Sequence, residues 1–278
     1  MTNERLFARI ETLFDIGMLS QSKALIIGCG SGGGAVALQL VMSGIKNFDL
    51  VDNDILSIEN VIRHVCGRRY LGWKKTDALE DVLLDRNPAA KIKKYDADIM
   101  NMEEASELIK GSDVVALCTD NDASRYYVNE LCVKNKVPFV TARVFTRGIG
   151  GEVFSFKPEK SGCLACLESK LERTQYRQGI HEEDLIPEEE REKIYGMGVP
   201  EIKDSPGLNI DISFISSFHT RFLLDAIAAS LNARPKFLFP IDENYIVWGN
   251  RPIHPFSKNF QLQRINIHKQ DGCQVCGI

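Results

Sequence analysis

Gly28, Gly30 and Gly33 sit in the stretch ALIIGCGSGGGAVALQLV, residues 24–41, where an apolar strand pattern runs through a glycine cluster into a helix pattern. Glycines spaced G-x-G-x-x-G between a strand and a helix let backbone N–H groups and the helix N-terminus approach phosphate oxygens closely. A tight strand-to-helix turn with no ligand would use the same residues. The next strand pattern, FDLVD, ends on Asp52, placed to accept hydrogen bonds from ribose hydroxyls. This far the residues specify an adenosine phosphate and do not separate NAD from ATP.

The stretch VDNDILSIENVIRHVCGRRYLGWKK adds Asp54, Asn60, Arg63 and Lys75 just after that strand. A dehydrogenase needs little there beyond the ribose acid. Two cations and an amide suit a triphosphate, whose charge must be spread during phosphoryl or nucleotidyl transfer. The alternative for Arg63 and Lys75 is the common one, solvated surface charge. Further on, VVALCTDN puts Thr119, Asp120 and Asn121 at the end of another strand pattern, where ligands bind in parallel sheets. Asp120 is a candidate Mg²⁺ ligand; capping the helix that starts near Ala123 is its structural alternative.

Cysteine spacing points to a second site. Cys163 and Cys166 in GCLACL, and Cys273 and Cys276 in DGCQVCG, form two C-x-x-C pairs. Four thiolates make a closed tetrahedral zinc site with no open position for catalysis, here one that staples the C-terminal tail to the strand-rich second half. Of the other cysteines, Cys118 and Cys132 read as small core residues, Cys29 lies inside the glycine loop, and Cys66 follows NVIRH with its exposure open. His181, His219, His254 and His268 show no catalytic or metal spacing.

The elements that must position these residues follow from periodicity. Strand patterns at 24–27, 48–52, 91–99, 113–119 and 138–142 alternate with helical patterns at 32–43, 75–87, 102–110 and 124–135. This predicts a mostly parallel, Rossmann-like α/β sheet covered by helices on both faces. Beyond Gly148 the pattern changes to the strand GEVFSF, a charged stretch over residues 168–203, a long apolar helix in ISFISSFHTRFLLDAIAASL, and strand-like pieces to the end. The expectation is a single domain over 1–278, with a nucleotide-binding half to about residue 147, a zinc-containing, substrate-binding half from about 148, and a crossover loop near 168–206. At 278 residues, 44% hydrophobic and 26% charged, the chain can bury a sizeable core. Its net charge of −4 leaves no basic stripe for nucleic acid. No stretch reaches ~18 uncharged apolar residues, and the N-terminus MTNERLFARIETLFDIG carries charges where a signal peptide is apolar. No membrane contact and a reducing, cytoplasmic location are therefore expected.

The ordered set G-x-G-x-x-G, D-x-D, N-x-x-R, G-x-x-K and C-T-D-N resembles the ThiF/MoeB/HesA superfamily, adenylyltransferases related to ubiquitin-activating enzymes, from about Lys23 to the end of the chain. The resemblance implies that Asp52 binds ribose, that Asn60, Arg63 and Lys75 hold phosphates, that Asp120 positions Mg²⁺, and that the four C-x-x-C thiolates hold zinc. It implies ATP as the nucleotide and, as partner, a small ubiquitin-like or sulfur-carrier protein ending in Gly-Gly whose C-terminal carboxylate becomes an acyl adenylate. A homodimer is implied too, with Arg5 or Arg9 of the N-terminal helix reaching the partner's phosphates and the long apolar helix as further apolar surface. The sequence departs from the pattern at Glu59, where many members have a small hydroxyl residue, at His64, where MoeB-like members often have Gln, and in the added Gly32 and Gly34. The crossover region, residues 167–209, contains no cysteine, which matches the MoeB-like branch that hands its adenylate to an external donor. A NAD-dependent oxidoreductase would leave Arg63, Lys75 and CTDN without work. A zinc-stabilised binding module without catalysis would not need Asp52, Arg63, Lys75 and Asp120.

Overall fold

The structure, a computed structural model, describes residues 5–13, 15–145, 148–173, 208–231, 234–253 and 256–277. Residues 5–13 form a run of turns closed by bonds such as Ala8 N to Arg5 O and Leu13 N to Ile10 O, not the regular helix expected around Arg5 and Arg9. After a one-turn helix, α1 (Ile16–Leu19), the chain alternates β1 (Lys23–Ile27), α2 (Ser31–Met42), β2 (Asn47–Val51), α3 (Lys75–Arg86), β3 (Lys91–Tyr95), α4 (Ala105–Lys110), β4 (Val114–Leu117), α5 (Asp122–Asn135) and β5 (Phe139–Phe145). Then come β6 (Gly150–Phe156), α6 (Leu164–Arg173), α7 (Asn209–Ser230), β7 (Tyr245–Gly249) and β8 (Gln261–Ile265).

The eight strands among the described residues join one sheet in the order β3-β2-β1-β4-β5-β6-β7-β8, so strands from both halves of the chain share it. The first five pair in parallel and the last three antiparallel. Burial follows position. The central strands β1 and β4 are closed on both faces, with Ala24 to Ile27 and Val114 to Leu117 buried, which is why they read as unbroken apolar runs. The edge strand β3 carries Lys91, Lys93 and Lys94, charges that discourage edge pairing with another chain.

Two apolar layers flank the sheet. One is built with α2, α3 and α7, the other with α4, α5 and α6. Most of the apolar surface of α7 is consumed here: Ile215, Phe222, Leu223 and Ile227 pack against α2 and β5 within the same chain, while Ile210 and Phe214 near its start stay exposed. His219 of the same helix is a core group, its Nε2 2.9 Å from the Val140 carbonyl, and burial depresses its pKa to about 4. The charged stretch also begins later than composition implies. Glu168 lies in α6, buried and 3.6 Å from Arg143 Nη2, while residues 174–207, most of the crossover region, lie outside the described residues. His181 and His254 lie outside them as well. Among the described residues no helix is long and apolar enough to cross a membrane.

Candidate nucleotide site and metal centre

The strand order reverses at β1, which lies between β2 and β4. The crevice beyond the carboxyl ends of strands at such a switch point is where open α/β sheets bind ligands. The glycine loop opens there, between β1 and α2. Gly28 adopts φ +90°, and a Cβ on it would come within 2.9 Å of the Cys118 backbone. A Cβ on Gly33 would stand 1.8 Å from the Gly28 carbonyl oxygen. These two glycines are demanded by the fold. Gly30 is different: its φ is −69° and a Cβ there would meet nothing within 4 Å. The space above it is open, which leaves room for a phosphate group to approach the backbone.

The contrast predicts different outcomes for two substitutions. Gly33→Ala should disturb the strand-to-helix junction, at a cost of about 1–3 kcal/mol or more as overpacking does, seen as a lower thermal midpoint. Gly30→Ala should melt like the wild type yet bind ATP about tenfold or more weakly by calorimetry. Equal ATP affinity in Gly30→Ala would remove the loop from nucleotide binding.

Asp52 follows β2 and does more than face the cavity. Its Oδ2 accepts the Cys29 N–H at 2.6 Å and its Oδ1 accepts the Asp54 N–H at 2.8 Å, so it pins the glycine loop. Burial raises its pKa, against which those two hydrogen bonds and Lys75 pull it down. Each carboxylate oxygen retains lone-pair capacity for a ribose hydroxyl. Lys75 opens α3, where the helix dipole is positive. Its Nζ lies 2.6 Å from Asp54 Oδ2 and its N–H donates to the Asp54 carbonyl, so Lys75 is a held cation with only 12% of its side chain exposed. Asn60 closes a short 3₁₀ turn whose Ser57 N–H donates to its Oδ1, and Arg63 follows in the same segment.

Beyond β4, Asn121 and not Asp120 caps α5, accepting the Ser124 N–H at 2.8 Å. The capping alternative for Asp120 is thereby taken by its neighbour, and the exposed Asp120 carboxylate remains at the cavity wall. Thr119 is tied into the same turn, its Oγ1 accepting from Ser124 Oγ at 2.7 Å and its carbonyl from Arg125 Nε at 3.0 Å.

One cavity of about 620 Å³ gathers Gly28, Gly30, Asp52, Asp54, Asn60, Arg63, Lys75, Thr119, Asp120 and Asn121, a size in the usual range for small-molecule sites. Of the nucleotide-site residues nominated from sequence, only Gly33 is off the wall, where it packs behind Gly28. The cavity also uses residues not nominated: Ala97 and Asp98, which follow β3, and Ile212 of α7. The first two had a signal, since they end a predicted strand at the carboxyl edge. Ile212 had none, because only the fold returns α7 to β4 and β5. Other clefts, lined by Lys136, Lys160 and His268, lie near the amino end of β5, the edge where this architecture does not bind ligands.

The four nominated thiols do converge. Cys163 and Cys166, at the start of α6, meet Cys273 and Cys276 of the tail with all Sγ atoms within 4.8 Å of one another. The pairs Cys163–Cys273 and Cys166–Cys276 stand at 3.7 and 3.5 Å. A tetrahedron of thiolates at a Zn–S length of about 2.3 Å has edges of about 3.8 Å, so the cluster suits a structural zinc ion. Burial pushes Cys273 up, but backbone N–H groups of Cys276 and Val275 together with hydrogen bonds from the Cys166 and Cys163 thiols outweigh it and hold the thiol at about 6. The other four cysteines are shielded: burial raises the pKa of Cys29, of Cys66 and Cys118 to about 12, and of Cys132 beyond that. Cys66 is fully buried.

The ThiF family model matches residues 7–247. Over 170 residues, 59% of this chain and 37% of the other, the sequence is 32% identical to the adenylyltransferase and sulfurtransferase MOCS3 of Xenopus laevis. Over 145 residues, 52% of this chain and 22% of the other, it is 30% identical to the SUMO-activating enzyme subunit 2 of Dictyostelium discoideum. The matches thus span well under half the length of these curated relatives. Among solved structures, E. coli MccB with AMPCPP and MccA superposes with a TM-score of 0.68 at 20% identity, covering 94% of this chain and 68% of that one. PaaA superposes with a TM-score of 0.68 at 18% identity, covering 95% and 82%. At these identities the superpositions speak for the fold.

Proposed function

Since the chain belongs to the ThiF family, we propose that its cleft activates a carboxylate by transferring AMP to it from ATP. A carboxylate oxygen of the acceptor attacks the α-phosphorus, forming the acyl–phosphate bond while the bond to the β-phosphate oxygen breaks and pyrophosphate leaves. The observation that carries this reading is the 620 Å³ cavity, which unites the glycine loop and the ribose acid with Arg63, Lys75 and Asp120. A hydride transfer would leave those last three residues idle. Arg63 and Lys75 neutralise the charge spreading over the phosphates, and Lys75 does so preorganised by Asp54. Asp120 would hold Mg²⁺, which supplies further charge neutralisation when bound. No protein nucleophile is needed, because positioning of the two reactants supplies much of the acceleration.

The acceptor we infer is the C-terminal carboxylate of a ubiquitin-like or sulfur-carrier protein ending in Gly-Gly, or of a peptide. Support comes from the curated relatives, whose names denote an adenylyltransferase and sulfurtransferase and a SUMO-activating subunit. The handover then needs an outside donor. The crossover region has no cysteine, zinc engages four thiols, and Cys66 is fully buried with its thiol pushed up to about 12, far from the ionised state that attacks acyl groups. The test is ATP–pyrophosphate exchange with such a partner. Exchange that requires both Mg²⁺ and the partner, with no thiol-labile adduct on denaturing non-reducing gels, is the expected result. Tight NADH binding without ATP binding would overturn the reading, and an adduct lost in Cys66→Ala would overturn the handover.

With most of α7 absorbed into the chain's own core, the homodimer rests on the exposed start of that helix and the segment beside it. Ile62 and Ile210 are 85% and 69% exposed, and they adjoin the contact in which Asn209 Nδ2 donates to the Arg63 carbonyl at 3.1 Å. We propose that this face, at the lip of the cleft, meets a second copy, with Arg5 or Arg9 reaching across. A dimeric mass by sedimentation at micromolar concentration is expected. A monomeric mass there removes this part of the proposal.

A further inference from the structure

The Cys29 residue of the glycine loop is gripped at both of its backbone polar groups. Its N–H donates to Asp52 Oδ2 at 2.6 Å, and its carbonyl lies 2.8 Å from His64 Nε2. The other ring nitrogen of His64, Nδ1, accepts the Cys66 N–H at 3.0 Å. An acceptor Nδ1 places the single ring proton on Nε2, so Nε2–H donates to the Cys29 carbonyl. The ring thus ties the segment bearing Asn60 and Arg63 to the loop beneath the cleft. His64 is itself buried and forms no part of the cavity wall, whereas Gly30 does.

The consequence follows from peptide geometry. In a planar trans peptide the C=O and the following N–H point in opposite directions. Fixing the Cys29 carbonyl toward His64 therefore turns the Gly30 N–H away from the ring, and Gly30 stands on the cavity wall. We infer that His64 is a positioning residue that aims the Gly30 N–H at a nucleotide phosphate by gripping the Cys29 carbonyl, an inference that rests on the nucleotide reading above.

Two oddities of the sequence then have one cause. A Cβ at Gly34 would stand 3.0 Å from Val65 Cγ2 and 3.4 Å from His64 Cε1, so the additional glycine in α2 makes room for the segment that carries the imidazole. The charged groups that bear on the ring are Asp52, which favours the imidazolium, and Lys75, which opposes it; burial opposes it most, and the ring's pKa lies below the usual 6.5. Protonation would leave the Nε2–H bond to the Cys29 carbonyl but turn Nδ1 into a donor facing the Cys66 N–H, which displaces the ring and loosens its hold on the loop, so ATP affinity should fall as pH drops through the ring's titration.

The experiment compares wild type, His64→Gln and His64→Leu by ATP calorimetry from pH 8 down to pH 5.5, with ¹⁵N NMR of the imidazoles. Glutamine retains one donor and one acceptor, so His64→Gln should bind ATP within about threefold of wild type at pH 8 and lack part of its acid-side decline. His64→Leu leaves both backbone groups unpartnered and should bind tenfold or more weakly. The wild-type His64 ring should show the neutral Nε2–H form at pH 7 without nucleotide. Variants that melt lower yet bind ATP like wild type at every pH would reduce His64 to a structural role, and an Nδ1–H tautomer would overturn the grip outright. Should His64→Leu fail to fold, the pH profile of His64→Gln and the ring tautomer still decide. Wild-type protein that binds no ATP at all overturns the nucleotide reading instead, a result distinct from a wrong tautomer.

Discussion

Replacing Arg63 or Asp120 by alanine is expected to lower ATP–pyrophosphate exchange by two to three powers of ten, the effect of removing one preorganised charge contact worth about 3–4 kcal/mol. Both residues stand on the wall of the same cavity, but they come from elements remote in sequence, Arg63 from the segment after β2 and Asp120 from the end of β4. Their substitutions should therefore separate by metal dependence. Asp120→Ala should raise the Mg²⁺ concentration needed for half-maximal exchange, and Arg63→Ala should leave that midpoint in place while lowering the rate. Asp120 does not cap α5, a task done by Asn121, so its removal should leave the unfolding free energy within about 0.5 kcal/mol of wild type, as for surface changes elsewhere. Undiminished exchange in both variants would remove these residues from the chemistry.

The second large effect concerns the thiolate cluster. One zinc per chain is expected by elemental analysis, and Cys163→Ser or Cys276→Ser should abolish it. Structural zinc contributes free energy on the order of 10 kcal/mol in small domains. A loss of even ~4 kcal/mol would lower the midpoint of a domain this size by roughly 8–16 °C. Here the ion would join segments 110 residues apart, and apart from the thiols the tail is held by bonds such as Gln270 Nε2 to the Cys166 carbonyl. The same variants should therefore show early proteolysis after residue 268. A metal-free protein with an unchanged midpoint and an intact tail would show that the thiols stabilise without zinc.

The residues that were legible in the sequence are those whose roles are local. Gly28, Gly30 and Gly33 announce a loop because conformation and close approach act over a few residues, and Asp52 and Asp120 announce a ligand edge because they end apolar strands that pack on both faces. Paired thiols at C-x-x-C spacing announce a metal because the ligand geometry constrains each pair separately. Their meeting across the fold, Cys163 and Cys166 with Cys273 and Cys276, could be expected but not located. Other features had no local expression. Lys75 and Arg63 look like surface charges until Asp54 and the cavity wall hold them. Asp120 and Asn121 are equivalent caps by residue type, and only the turn at the head of α5 assigns the cap to Asn121. The apolar length of α7 fits a dimer face or a core equally well, and it is core because the sheet needs a cover over β4, β5 and β6. His64 carries no motif at all; its role comes from the fold bringing its ring within 2.8 Å of a carbonyl 35 residues earlier. Periodicity and spacing are written along the chain, whereas burial and hydrogen-bond partners are set between segments that only packing makes neighbours.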